Sequence, residues 1–354
     1  MGASPVTPDD RPEPDAGGKP SELGQLTRRS WRYLLGRSLR EFVRNECMDL
    51  AAGLTYYAVL AVLPGLIALV SLLGLLGQGK SSLAAMLEVA RQVVPTSGLQ
   101  IIAPVLTRLT ESSGTTWGLV LGVGGALWFV SRYVAAFSRA MNRIYDVHEG
   151  RPIWKLEPLL IGITGAIGLL SLAALLLLVI SGPLAEAIGN VLQLEAPVVL
   201  TWNIAKWPVL LAIVLVFVAL LYSVTPNVRQ PRFRWLSPGA ALAILVWVLA
   251  SALFGVYVAN FGRYGATYGS LGGVIIFLVW LWLTNTALLF GAVLDAEIER
   301  ARELQAGIPA ERHIRLPVRD RRASRKEADV QARDHHRGRE LRQHPPTSSG
   351  DGST

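Results

Sequence analysis

Six stretches of the chain run for 20 residues or more without an Asp, Glu, Lys or Arg. They lie between Asp49 and Lys80 (30 residues), Glu111 and Arg132 (20), Glu157 and Glu186 (28), Lys206 and Arg229 (22), Arg234 and Arg263 (28), and Arg263 and Asp295 (31). A helix needs about 20 predominantly apolar residues to cross the hydrocarbon of a bilayer. The next longest uncharged run, from Arg91 to Arg108, has 16 residues and is interrupted by Pro95 and Pro104. Only 17% of the 354 residues are charged, against about 25% in a soluble domain. The fold class is therefore all-α: a polytopic membrane protein with six transmembrane helices, accompanied by short interfacial helices.

Orientation follows from the basic residues. Lys plus Arg number 8 before the first run, 5 between the second and third, 3 between the fourth and fifth, and 13 after the sixth. The other three connections hold 3, 1 and 1. Basic residues collect on the cytoplasmic side because they resist translocation, so both termini are placed in the cytoplasm. Residues 1–45 read as a disordered or partly helical cytoplasmic leader. Residues 46–300 are the six-helix transmembrane domain, and 301–354 a basic, disordered cytoplasmic tail. The leader, "ASPVTPDDRPEPDAGGKPSE", lacks the compact apolar core of a secretory signal.

One stretch invites a ligand. "RYGATYGSLGG", residues 263–273, has the glycine density of a phosphate-binding loop, but no Gly-Lys-Ser/Thr follows it. Its place between the fifth and sixth spans puts it outside the cytoplasm, where glycines serve a tight or re-entrant hairpin. Tyr257, Tyr264 and Tyr268 suit the membrane interface. Cys47 is the only cysteine, so the chain holds no intramolecular disulfide.

Within the spans the polar and small residues are few. Pro64 removes a backbone hydrogen bond from the first span, either as a packing kink or as a break at a pathway. "SLAAMLEVARQVV" and "GLQIIAPVLTRL", between 79 and 116, read as short helices at the outer interface. Gly118, Gly122 and Ala126 form a small-residue stripe that admits another helix closely. The second span runs on as "SRYVAAFSRAMNRIYDVHEGRPIWK", where Arg132, Arg139 and Arg143 share one face. That face suits anionic lipid head groups, or simply anchors the helix through snorkelling side chains. Asn285, mid-way along the sixth span, needs a partner inside the bundle. Tyr56, Tyr57 and Asn285 are the candidate polar bundle contacts. Asp295 and Glu297 are expected to be solvated at the cytoplasmic end, and no ionisable residue is expected deep in any span.

The motifs "DLAAGLTYYAVLAVLPGLIAL" from Asp49, "SRYVAAFSRAMNRIYDVHEGRP" from Ser131, "LYSVTPN" from Leu221, "LSPGA" from Leu236 and "YGSLGGVIIFLVWLWLTNTALLFGAVLDAEIE" from Tyr268 carry a resemblance. Their order and spacing resemble the YihY/BrkB family of bacterial inner-membrane proteins, formerly labelled ribonuclease BN. The resemblance covers about residues 40 to 305 and implies six spans in a bacterial plasma membrane. This chain departs from the pattern at Leu54-Thr55-Tyr56-Tyr57, where the family commonly reads Leu-Ala-Tyr-Tyr. It departs again at Gly291-Ala292-Val293-Leu294-Asp295, where Gly-Ala-Glu is commonly followed by Leu-Asn. No role of that glutamate is therefore carried over to position 293.

The family label supplies no mechanism, and a role in envelope lipid transport is a suggestion. A metal-dependent nuclease needs clustered His and Asp at ligand spacing. His148 and His313 are isolated, and His335, His336 and His344 fall in the tail. No catalytic, metal or cofactor-binding residue is singled out, and no cofactor is expected. The expected partners are membrane lipids, anionic phospholipid above all, and a second copy of the chain, with no specific nucleic acid. Three readings remain: a transporter or flippase of envelope lipids, a non-catalytic membrane scaffold, and a ribonuclease on the label alone.

Overall fold

The computed structural model describes residues 13–14, 18–20, 23–75, 115–179, 196–230, 237–261 and 271–343. A short 3-10 turn, Leu23–Gln25, precedes eight helices: α1 (Arg28–Arg44), α2 (Cys47–Leu75), α3 (Thr115–Ile144), α4 (Ile153–Val179), α5 (Ala196–Val224), α6 (Pro238–Phe261), α7 (Leu271–Gln305) and α8 (Arg322–Gln343). Helices α2 to α7 each contain a segment long and apolar enough to cross a membrane. They coincide with the six uncharged runs. At 1.5 Å per residue even the shortest, α6, is about 36 Å long, beyond the roughly 30 Å of bilayer hydrocarbon. Among the described residues the only β-type pairing is a single bridge, Val228 with Val318. The outer loop with its expected interfacial helices (76–114) and the glycine-rich loop (262–270) lie outside the described residues.

The bundle shows large apolar side chains outward. Trp117 is 74% exposed, Leu121 71%, Leu169 70% and Leu253 71%. Faces of that kind are stable only against lipid, so contact between helices must come from close packing instead. The tightest pairing is α2 with α3, followed by α6 with α7, while α5 and α6 touch only lightly. Gly122 lies so near α2 that an added Cβ would stand 2.5 Å from the Ala68 nitrogen. Gly118 faces Ser71 and Gly125 faces the Pro64 ring. The small-residue stripe is thus occupied inside the chain. Helix α2 runs through Pro64 without ending there, and the ring serves as the surface for Gly125. Between α6 and α7, Gly239 and Gly291 meet backbone to backbone.

The end of the bundle where α7 finishes is closed by polar packing. Helix α1 starts at Thr27, whose hydroxyl accepts the Ser30 N–H at 3.1 Å, and buries Leu34, Ser38, Glu41 and Phe42. Its opposite stripe, Leu35, Leu39 and Val43, is exposed. Asp295 and Glu297, expected in solvent, are instead only 5% and 2% exposed. Asp295 accepts the Gly239 N–H, and Glu297 pairs with Arg300 and Arg37. Further along, Lys19 pairs with Glu299 at 3.1 Å and with Glu303 at 3.4 Å, all three side chains being 2% exposed or less. The Glu297, Glu299, Glu303 and Lys19 charges are buried here because each meets its opposite, and Asp295 because it accepts a backbone N–H.

Residues beyond 301 also depart from the expected structureless tail. Ala310, Ile314 and Leu316 are buried, and Arg229 donates its N–H to the Pro317 carbonyl at 2.8 Å. Residues 322–343 form α8, which buries none of its side chains. Short apolar residues scattered among arginines carry no periodic signal, yet they cap the bundle.

Candidate functional site

Asn285 pins three helices together. Its carbonyl accepts the Tyr133 hydroxyl at 2.8 Å, and its amide donates to the Thr55 hydroxyl at 3.0 Å. Thr55 in turn donates to the Ala51 carbonyl of its own helix. One N–H and the carbonyl of the amide are thus paired across α2, α3 and α7. Tyr56, expected among these contacts, is 61% exposed, and its ring meets Tyr57 edge-on at 5.4 Å. A one-residue offset on a helix turns a side chain by about 100°, so Thr55 faces inward where Tyr56 faces out. Asn285, singled out from the sequence as a bundle contact, has Tyr133 and Thr55 as partners, neither of which the sequence pairs with it.

An apolar groove of about 250 Å³ opens among α4, α5, α6 and α7. Leu170, Ala174, Phe217, Trp247 and Leu288 are among its walls, with Ser171 and Thr284 as the hydroxyl-bearing residues. The groove exists because α5 and α6 are splayed and Ala174 and Ala243 are small. The Trp247 indole donates to the Thr284 hydroxyl at 3.0 Å, which donates to the Trp280 carbonyl at 2.9 Å. These two polar groups are therefore turned away from an occupant, and apart from the Ser171 hydroxyl the groove offers hydrocarbon. Nothing in the sequence signals it, because four separate helices contribute small or ordinary apolar residues.

The three arginines of α3 have different surroundings. Arg143 pairs with Glu46 at 2.7 Å in an exposed bridge. Arg139 is exposed. Arg132 lies deeper, with its guanidinium carbon 4.5 Å from the centre of the Trp128 ring. The common face is real, but the residues do not form one cluster.

Below them the "HEGRP" and "TPN" segments interlock. Arg151, 6% exposed, donates to Glu149, to the Ser138 hydroxyl and to the Thr225 carbonyl. Asn142 donates to Glu149 and accepts the Asn227 N–H, while Asn227 donates to the carbonyls of His148 and Asp320. Burial raises the Glu149 carboxyl, but hydrogen bonds and charge from Arg151 and a bond from Asn142 leave it below its ordinary value. Asp320 is held down to about 2 by its hydrogen bond with Lys155 and the Arg322 N–H. Burial lowers Arg319, helped by the neighbouring charges of Arg151 and Arg229. Every polar group in this knot has a protein partner, which marks it as a clasp. His148 contributes only its carbonyl to the clasp, and His313 contacts Asp146. Among the described residues no group of three His, Cys, Asp or Glu side chains is placed to hold a metal ion.

Comparison with known proteins adds the following. The family model described as Virulence factor BrkB matches residues 38–314. The "Putative ribonuclease-like protein YfkH" of Bacillus subtilis is 28% identical over 263 residues, covering 74% of this chain and 94% of that protein. A "UPF0761 membrane protein" of Idiomarina loihiensis is 30% identical over 268 residues, covering 72% and 87%. One from Pseudomonas aeruginosa is 29% identical over 281 residues, covering 74% of this chain but 61% of its own length. The alignment thus spans about three fifths of the Pseudomonas relatives. No solved structure matches the chain.

Proposed function

The chain belongs to the virulence factor BrkB family, a multi-pass bacterial membrane protein among relatives named as membrane proteins, and we propose that it moves lipids between the leaflets of the membrane. The observation that carries this reading is the apolar groove among α4, α5, α6 and α7. A groove at membrane depth with an almost wholly apolar lining favours an acyl chain over an ion or a sugar. In this account both termini and the capped end of the bundle face the cytoplasm. Helix α1 lies in the plane of the bilayer, with Leu35, Leu39 and Val43 in lipid and Arg40 and Arg44 towards the head groups. The scaffold reading loses its main support, because the glycine stripe that offered a docking surface is occupied by α2. The name ribonuclease-like belongs to the Bacillus relative, and no side-chain arrangement among the described residues argues for carrying it over.

Phospholipid with a photoactivatable group on one acyl chain tests the groove. In vesicles carrying the full-length protein, cross-linked peptides should include Phe217, Trp247 and Leu288. Adducts confined to outward residues such as Leu169 and Leu253 would contradict the reading.

A further inference from the structure

The register of α2 against α3 sets the depth of Arg132. Glu46 meets Arg143, Pro64 meets Gly125, Ala68 meets Gly122 and Ser71 meets Gly118, so the two helices run antiparallel in constant register. Arg139 and Asp49 are exposed near one end of this pair. Arg132 stands seven residues before Arg139 on α3, about 10 Å further into the membrane. Its neighbour Tyr133 bonds Asn285, which lies ten residues, about 15 Å, before Asp295 on α7. An ionisable side chain therefore sits at bilayer depth, contrary to the expectation that none would.

Its direction matters as much as its depth. Trp117, Leu121 and Trp128 are 74%, 71% and 60% exposed, and Arg132 continues their stripe one turn on. Phe137, which stacks on Tyr222 of α5, is about 140° away around the helix. The guanidinium does not rise towards Arg139. It folds onto Trp128, one turn deeper, with the guanidinium carbon 4.5 Å from the ring centre. Its Nε is buried and has no hydrogen-bond partner. A half-buried guanidinium cation on this stripe carries a large cost at this depth unless an anion and hydrogen-bond acceptors reach it. The group that matches its planar fork, and that membranes supply in quantity, is a phosphodiester.

We propose that Arg132 and Trp128 form a station for the phosphate of a membrane lipid, drawing one head group about 10 Å below the surface. The guanidinium takes the phosphate oxygens, and the indole face holds the cation in place while its edge lies along the lipid. A head group held at that depth thins the leaflet locally and shortens the distance it must cross. The station lies on other residues than the groove. It extends the lipid-handling reading, and either can fail while the other stands.

Full-length protein is reconstituted in nanodiscs of phosphatidylcholine and phosphatidylglycerol, released into mild detergent, and its retained lipid measured by native mass spectrometry. Wild type should keep one phospholipid of either type. Arg132→Gln should reduce that retention about tenfold, as loss of a charged hydrogen-bonded contact predicts, and Trp128→Ala about threefold. Arg139→Gln, on the exposed surface of the same helix, should leave it unchanged. A phosphate-free glycolipid should not compete, and neither should excess inorganic phosphate. Equal retention by Arg132→Gln and wild type overturns the proposal, as does equal loss in Arg139→Gln. Displacement by the glycolipid would make the contact an acyl one, and displacement by inorganic phosphate would make it a free-anion site; each overturns it. Where Arg132→Gln does not fold, Arg132→Lys and Trp128→Ala decide: unchanged retention in both is equally contrary.

Discussion

The Asp295 carboxylate on α7 accepts the backbone N–H of Gly239, in the first turn of α6, at 2.8 Å. A side chain of one span thereby caps the start of another, at a point where Gly239 and Gly291 bring the two backbones together. The first N–H groups of a helix have no partner within it, and a carboxylate there also meets the positive end of the helix dipole. Removing the acceptor as Asp295→Ala should cost about 1–2 kcal/mol and lower the Tm in detergent. Asp295→Asn, which keeps an acceptor without the charge, should cost less. Equal losses in both variants would show that the charge, not the cap, is what matters there.

The α2–α3 contact makes a paired prediction. A methyl group at Gly122 meets the backbone of Ala68, whereas one at Gly124 meets nothing within 4 Å. Gly122→Ala should destabilise by about 1–3 kcal/mol through overpacking, read as a lower denaturation midpoint. Gly124→Ala should be neutral or slightly stabilising. Equal effects would mean the helices are not this close.

Acid should loosen the clasp in a defined window. The folded Asp320 carboxyl titrates at about 2, below its ordinary value of 3.8. A depressed carboxylate contributes its stability in full above the unfolded value and loses it as pH falls through the folded one. The stability difference between wild type and Asp320→Asn should therefore be constant from neutral pH to about 4 and shrink between about 4 and 2. Hydrogen exchange of residues 145–152 and 225–230 reads it locally. A difference that shrinks above pH 5 would point to another group.

Six spans were legible because a charge-free run of bilayer length has almost no other use, and Asn285 was legible because a mid-span amide must be paired. The capped end was not. Lys19 reaches Glu299 and Glu303 from the other end of the chain, and no local pattern announces a pairing across that distance. Asp295 and Glu297, which read as solvated, are buried because partners arrive from elsewhere: the Gly239 N–H of α6 for Asp295, and Arg37 of α1 with Arg300 for Glu297. The arginine face misled in a different way. Helical spacing puts Arg132, Arg139 and Arg143 on one side, but only the register with α2 and the Trp128 ring separates the deep residue from the surface pair. The groove leaves no trace in sequence, since its shape comes from how far α5 and α6 splay.

Topology offers an independent test. The Arg229–Pro317 bond and the Asn227–His148 bond gather Val147, Gln230 and the segment after α7 at one end of the bundle. Alkaline phosphatase, active only outside the cytoplasm, should be inactive when fused at Val147 or Gln230 and active at Gly265. Activity at Gln230 would reverse the proposed orientation.

The central claim is that the groove lets lipid pass, and adjacent alanines of α4 test it. Ala174 lines the groove, whereas Ala173 is exposed on the outer face. In vesicles containing a fluorescent phospholipid and the purified protein, the measurement is the fraction of outer-leaflet-accessible label over time, read by membrane-impermeant dithionite. Wild type and Ala173→Trp should expose the inner-leaflet label at the same protein-dependent rate, and Ala174→Trp should bring that rate close to protein-free vesicles. A rate unchanged by Ala174→Trp in a folded protein, or no protein-dependent exposure in wild type, would contradict the account.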